Sequence, residues 1–346
     1  PGPLAAADIG KLRGLPRVRV GDRLGAASGP PEPHFAPPVL ESVVRPEEPG
    51  RATELHAALT RLADEDPLIR TRVADGGATS VLLYGAVQRE VIAERLRREF
   101  GIGAVFEQVR PVYFERPVGR GEAVHVFDPR GGNDFWQTLG VRVEPLPPGT
   151  GNTVTREAQR GLIPKAYHRA VEEAVATTLR QGLHGWEVTD CAVTVTRVGF
   201  LAPMTSAADF RHLTPVVLLR ALERAGSAVH EPGHAVEVEV PDDSLSAVTG
   251  LLISLGADLG TAVESGSGWV VPGDVPARAL HDLASALPGL TRGEGSVWHE
   301  PGPARRVRGP APTRARTDGN PLDREEYLRF LSNRNLAAST STGGDR

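Results

Sequence analysis

The chain has 346 residues, 40% apolar and 24% charged, with a formal net charge of −4 and a single cysteine. That length suits two to four ordinary modules, and the mix is that of a globular protein. An internal disulfide is excluded, and with no apolar run of about eighteen residues and no basic-then-apolar leader, neither a membrane span nor a secretory signal is expected. The cytoplasm is the expected location, and Cys191 fits a reducing compartment as a buried packing residue. The first residues are Pro1-Gly2-Pro3 and the only methionine is Met204, so a fragment or partial product is expected. Residues 304–346 hold nine arginines against five acids, a net +4 that leaves −8 for residues 1–303. A basic end on an acidic body fits either an anionic partner or a solvated tail.

Residues 1–38 contain the short strand-like run Arg17-Val18-Arg19-Val20 and a Pro-rich linker, too little for a domain. From Val39 to Pro117 the pattern is richer. Val39 to Val44 alternates as a strand, and Arg51 to Ala63 has helical period with Leu55, Ala58, Leu59 and Leu62 on one face. Strands Ile69 to Val73 and Ser80 to Tyr84 follow, joined by Asp75-Gly76-Gly77. A helix from Val87 to Phe100 is expected to point Val87, Val91, Leu96 and Phe100 inward, before a last strand from Val105 to Val109. The order βαββαβ is the ferredoxin-like split βαβ.

Strands Ala123 to Phe127, Thr138 to Glu144 and Thr153 to Glu157 then lead to a helix, Lys165 to Gln181, with an apolar stripe of Ala166, Ala170, Val171, Ala174, Val175 and Leu179. Val188 to Val198 reads as a strand, Gly199 to Ala207 as a loop and Leu213 to Ala225 as a helix. The ferredoxin-like order then recurs. Its parts are strand Ala235 to Val240, helix Asp243 to Leu255, hairpin Gly260 to Val271, helix Ala277 to Leu287 and strand Ser296 to Glu300. The fold class is α/β (α+β), with two ferredoxin-like modules flanking a third, and Ser, Thr and Gly after Asn335 predict disorder.

No Gly-x-x-x-x-Gly-Lys-Ser/Thr loop is present, so this chain is not expected to cradle or hydrolyse a nucleotide alone. Asp22-Arg23-Leu24-Gly25 fits the Asp-x-x-Gly pattern of GTPases, but without a phosphate loop upstream it reads as a turn. His230-Glu231-Pro232-Gly233-His234 matches the zinc-protease pattern His-Glu-x-x-His, whose ligands must share one helical face. Proline costs about 3 kcal/mol and glycine about 1 kcal/mol inside a helix, so the motif reads instead as a solvated linker entering a strand. His168, His184 and His212 lack metal spacing, and no Gly-x-Ser-x-Gly elbow occurs. No catalytic residue, cofactor-binding residue or metal ligand is assigned.

Several stretches resemble one family. Gln181 to Cys191 (QGLHGWEVTDC), Leu139 to Gly151 (LGVRVEPLPPGTG) and Ala202 to Arg211 (APMTSAADFR) are similar to domain IV of the tetracycline ribosomal protection proteins. Asp64 to Leu68 and Tyr84 to Ile92 resemble domain III signatures shared with elongation factor G. The resemblance runs from about residue 4 to 331. It implies a domain II remnant and linker at 1–38, a ferredoxin-like domain III at 39–117 and a ribosomal protein S5 domain 2-like domain IV at 118–226. A ferredoxin-like domain V at 227–306 follows, then a basic linker, terminal helix and tail at 307–346.

The resemblance also implies a function. In the family, GTP and Mg are bound by a domain outside this span, and the domain IV tip reaches small-subunit ribosomal RNA near the decoding site. There a loop proline stacks on a base and displaces tetracycline. By position Pro203 is that residue, with Phe200, Leu201, Ala202, Met204 and Thr205 shaping the loop, and Arg324 and Arg329 of the terminal helix could meet RNA phosphate. Leu201 and Ala202 depart from the family, which commonly has a second aromatic and a serine there. The implied partner is the ribosome, with tetracycline an indirect one, no membrane, and a monomeric protein. An elongation factor G-like translocation role or a stand-alone module without GTPase activity are the alternatives.

Overall fold

The computed structural model describes residues 9–10 and 38–341, apart from 67, 74–77, 129, 132–133, 158–163 and 267. The Arg17–Val20 run, the Asp-x-x-Gly turn and the Asp75-Gly76-Gly77 turn lie outside the described residues. The chain divides into two compact units, Pro1–Pro111 and Val112–Arg346.

In the first unit the elements are β1 Leu40–Pro46, α1 Ala52–Glu65, β2 Arg70–Val73, β3 Thr79–Leu83, α2 Ala86–Phe100, β4 Ala104–Phe106 and β5 Arg110–Pro111. The sheet order is β2-β3-β1-β4, with β5 also on β1, all antiparallel. This is the ferredoxin-like order. Helix α1 buries Leu55, Ala58, Leu59 and Leu62, as its period predicts. Helix α2 corrects the expected face: Ile92 and Leu96 are fully buried, whereas Val87 and Val91 are 74% and 52% exposed. Leu96 is inward as expected and Phe100 packs on the core, so only the first half of the stripe shifts, by the roughly 100° of turn that separates Val91 from Ile92.

The second unit opens with β6 Phe114–Pro117, β7 Gly121–His125, β8 Gln137–Pro145, β9 Thr153–Arg156, α3 Lys165–Thr178, β10 Glu187–Val188, β11 Cys191–Phe200 and α4 Ala207–Ala225. It continues with β12 Ser227–Pro241, α5 Leu245–Ser254, β13 Asp258–Leu259, β14 Val263–Ser265, β15 Gly268–Pro276, α6 Leu280–Leu290, β16 Ser296–Arg306 and α7 Arg324–Ser341. A four-stranded sheet, β7-β8-β11-β9, packs on α3 and α4 through Val141, Val143, Val193, Val175, Phe210 and Leu218. Cys191 is buried in this core. A second sheet holds β16-β12-β15-β13, with Val236, Val238 and Val271 packed on Leu252 and Leu283 of α5 and α6.

Several expectations change in this unit. Residues 114–117 are not the end of the first module, because β6 pairs with Ser227–His230 of β12 and, in parallel, with β10. The His230–His234 segment is not a linker but the interior of β12. Pro232 has no N–H to give a ladder, and the register with β16 shifts there as a bulge. Gly233 is required because a Cβ would overlap the Pro303 carbonyl. Helix α7 runs on to Ser341, past Asn335, through the helix-favouring Leu336-Ala337-Ala338.

Glu115 of β6 ties the turn after α3 to β12. Its side chain is fully buried, and its carboxylate accepts the backbone N–H of Leu183 at 2.9 Å, His184 at 2.9 Å and Trp186 at 3.1 Å, and the Ser227 hydroxyl at 2.7 Å. A buried charge survives only when its lone pairs are filled, and here four donors fill them. Gly182 must be glycine because a Cβ would lie 2.6 Å from that carboxylate. Next to it Asp190, buried and at φ 54°, takes Arg116 Nε at 2.7 Å and Gly151 N at 2.9 Å. A strap, Pro312–Asp318, then crosses the 181–186 turn. Arg314 N donates to His184 O at 2.9 Å, Trp186 Nε1 to Pro312 O at 2.7 Å and Thr317 N to Gln181 Oε1 at 2.9 Å, while Arg316 donates to Gly182 O.

Replacing Glu115 by Gln is expected to destabilise the second unit by about 2–3 kcal/mol, because an amide cannot accept all four donors and turns its own N–H groups toward them. Urea unfolding followed by tryptophan fluorescence reads this directly. Burial also pushes the Cys191 thiol up to about 12. At pH 8 the thiolate is therefore almost unpopulated in the folded state, and an aromatic disulfide reagent should label Cys191 at the rate of unfolding, not at that of a free thiol.

Candidate functional site

At one end of the four-stranded sheet, the end of β11 meets the start of β8, with Phe200 opposite Gln137. The turn Leu201–Ser206 therefore lies beside Trp136. Thr205 organises this end. It is buried, its Oγ1 accepts Leu201 N at 3.0 Å and donates to Trp136 O at 3.0 Å, and its backbone N–H donates to Leu201 O at 2.8 Å. Tyr167 Oη of α3 donates to Thr205 O at 2.7 Å. One small polar side chain thus closes a five-residue turn and ties it to a second segment.

The turn is pinned from both flanks. The Tyr167 ring stands edge-on to Phe200 at 5.5 Å and packs against Phe210 at 5.2 Å. After it, Ser206 N donates to the Asp209 carboxylate at 2.7 Å and Ser206 Oγ at 2.8 Å, in a capping box that starts α4 at Ala207. The sequence pattern starts that helix only at Leu213, whereas the structure starts it at Ala207. Pro215 is inside α4, where it removes one hydrogen bond while Phe210, Leu213, Val217 and Leu218 stay buried.

Between the pinned ends the turn presents apolar surface. Leu201 is 41% exposed and Met204 58%, Ala202 and Pro203 are exposed, and the Ala202-Pro203 peptide is cis. Phe200 sits at the margin. Trp136, 46% exposed and tilted against Phe127 at 5.7 Å, extends this surface. The residues expected at the loop are brought together, except that Thr205 faces inward. Trp136, Tyr167 and Asp209 were missed. The Ser206-x-x-Asp209 spacing is the signal that could have found the last of these.

Helix α7 lies against the same end. Tyr327 and Leu331 pack with Val216 and Phe135, and Tyr327 Oη donates to His212 O at 2.8 Å. Arg324 is not available as a free cation. Its Nε and Nη2 grip Asp134 at 2.6 and 2.7 Å, which holds the Asp134 carboxyl below its ordinary range. The pair fastens α7 to the segment before β8. Arg329 is exposed and makes no ion pair among the described residues. The two histidines of the zinc-like motif point to aromatic neighbours instead. His230 stacks on Phe114 at 5.7 Å, His234 stands edge-on to His299 at 5.3 Å, and Glu231 pairs with Arg278 at 3.1 Å. No group of three or more metal-ligating side chains occurs among the described residues.

Family comparisons match this architecture in series. "Elongation Factor G, domain III" covers residues 35–108, "Elongation factor G, domain IV" residues 112–226 and "Elongation factor G C-terminus" residues 228–313. The chain belongs to the elongation factor G superfamily. Within the superfamily its relatives include tetracycline resistance proteins. It is 48% identical over 297 residues to "Tetracycline resistance protein TetM" of Streptomyces lividans, covering 85% of this chain and 46% of that protein. It is 44% identical over 329 residues to an "Oxytetracycline resistance protein" of Streptomyces rimosus, covering 93% and 50%. The "Tetracycline resistance protein TetP" of Clostridium perfringens is 32% identical, covering 94% and 50%. The chain therefore spans about half the length of these relatives. A solved structure from Thermus thermophilus shares the fold at TM-score 0.59 and 20% identity, over 90% of this chain and 45% of that one.

Thr205→Val keeps the side-chain shape but removes both Oγ1 hydrogen bonds. The turn is expected to lose amide protection at Leu201 and to cost about 1–2 kcal/mol, with the sheet otherwise intact. Hydrogen exchange read by residue checks it: unchanged protection at Leu201 would show that Thr205 does not close the turn.

Proposed function

We propose that this chain is the ribosome-contacting portion of a ribosomal protection protein. In this reading it works in the cytoplasm, bringing the Leu201–Ser206 turn to small-subunit ribosomal RNA near the decoding site and dislodging tetracycline there. The observation that carries the reading is an exposed apolar turn around Pro203 whose conformation is set by Thr205, in a chain whose relatives are named for tetracycline resistance.

The physical case follows from that turn. A proline ring, Leu201 and Met204 can press on an unpaired base by stacking and apolar contact, which needs no sequence readout. Preorganisation matters because a turn already closed loses little entropy on contact. Behind it α7 is fastened to Asp134 through Arg324, and Arg329 is an exposed cation of that helix placed to meet phosphate. GTP and Mg enter through a domain outside this span, so nucleotide chemistry is assigned to none of these residues.

The test joins this chain to the N-terminal half of the Streptomyces rimosus relative and measures release of labelled tetracycline from ribosomes with GTP. Release is expected, and Pro203→Ala should slow it about tenfold, within the range of about 1–3 kcal/mol for loss of a stacking contact. Equal release by both proteins would remove Pro203 from the mechanism. No release by either, with translocation supported, would assign an elongation factor G-like role.

A further inference from the structure

The sheet of β12, β15 and β16 carries α5 and α6 on one face and leaves the other open. Register alone defines that open face. Glu237 of β12 lies opposite Trp298 of β16 and Pro272 of β15, and Glu239 lies opposite Ser296 and Val270. Ala235 lies opposite Glu300 and Asp274, and Asp274 in turn faces Asp258 of β13. Directly opposed strand residues point to the same side, so these rows form one surface.

Two properties of this surface are unusual for a strand face left to water. Trp298 sits in its middle row and is 72% exposed, the largest exposed side chain on the sheet. Around it, Glu237, Asp274 and Glu300 have no cationic partner among the described residues, and Glu239 takes only the Ser296 hydroxyl at 3.0 Å. Asp258 alone is neutralised, by Arg305 at 2.6 Å and Arg308 at 3.8 Å. The rows enclose an open hollow of about 610 Å³ lined by Glu237, Asp258, Pro272, Asp274, Trp298 and Glu300.

We infer that this face docks an arginine-rich segment of a partner protein. Charge complementarity selects the occupant. Four carboxylates without a cationic partner among the described residues repel nucleic acid phosphate, which disfavours RNA at this face even where it is the partner elsewhere. Guanidinium matches both chemistries at once: it pairs with carboxylates in bidentate fashion and stacks on an indole face. A lysine ammonium does the first less well and the second less often. An exposed tryptophan ringed by unpaired charges of one sign is the arrangement in which a partner's arginine gains most, since tryptophan and arginine are the residues most enriched at binding hot spots.

Nona-arginine, nona-lysine and a single-stranded RNA oligonucleotide, each fluorescently labelled, are titrated into the full chain at physiological ionic strength. Nona-arginine is expected to bind at least fivefold more tightly than nona-lysine. Trp298→Ala should weaken nona-arginine at least tenfold, and Glu237→Gln with Glu300→Gln should weaken it similarly and flatten its salt dependence. RNA binding should be unchanged in all three substituted positions. These side chains lie on the open face, and circular dichroism checks that the fold is kept. Equal affinity for arginine and lysine peptides, or nona-arginine binding indifferent to Trp298 and the two glutamates, overturns the proposal. So does a chain that sediments as a dimer and becomes a monomer on Trp298→Ala, since the occupant would then be a second copy.

Discussion

The Glu115 carboxylate is the constraint on which the second unit depends. It is a fully buried carboxylate, and it is tolerated because three backbone amides of one turn and the hydroxyl of Ser227 converge on it. Those donors come from two modules. The amides belong to the 181–186 turn after α3, and the hydroxyl to the first residue of β12, so satisfying one carboxylate fixes where that turn sits against β12. The glycines of this turn follow from it: Gly182 makes room for the carboxylate, and Gly185, at φ +83°, lets the strap pass where a Cβ would overlap the Arg314 carbonyl.

Much of the fold was legible because apolar periodicity and element order are local properties of the chain. Both ferredoxin-like orders, the α1 face and the buried Cys191 follow from local pattern alone. One misreading comes from proline and glycine having two uses. Pro232 sits inside β12 at a point where a hydrogen bond is given up to keep a longer element intact. Read locally, Pro232-Gly233 ends an element. Only the buried Val236 beyond it shows that the strand continues. The face of α2 was misread for a different reason, since Val91 and Ile92 are adjacent apolar residues and period alone does not choose between them.

The candidate site was legible in part. The loop around Pro203 came from resemblance, and its exposed apolar character agrees with that reading. Its support did not come from sequence, because the contacts span long separations: Thr205 reaches Trp136, Tyr167 reaches Thr205, and Arg324 reaches Asp134. No spacing rule links residues 69, 38 or 190 positions apart. Arg324 shows the cost of assigning a cation from its position on a helix, since its charge is spent on an internal carboxylate.

The strap from Pro312 to Asp318 has a consequence for the order of assembly. It binds backbone and side-chain groups of the 181–186 turn, the turn whose amides also meet Glu115. Helix α7 follows the strap, and its Tyr327 and Leu331 cover Val216 and Phe135 behind the exposed turn. During synthesis these apolar positions emerge more than a hundred residues before their cover does. Val216 and Phe135 therefore stay uncovered on the nascent chain until α7 has been made, and α7 acts as a late seal behind the exposed turn.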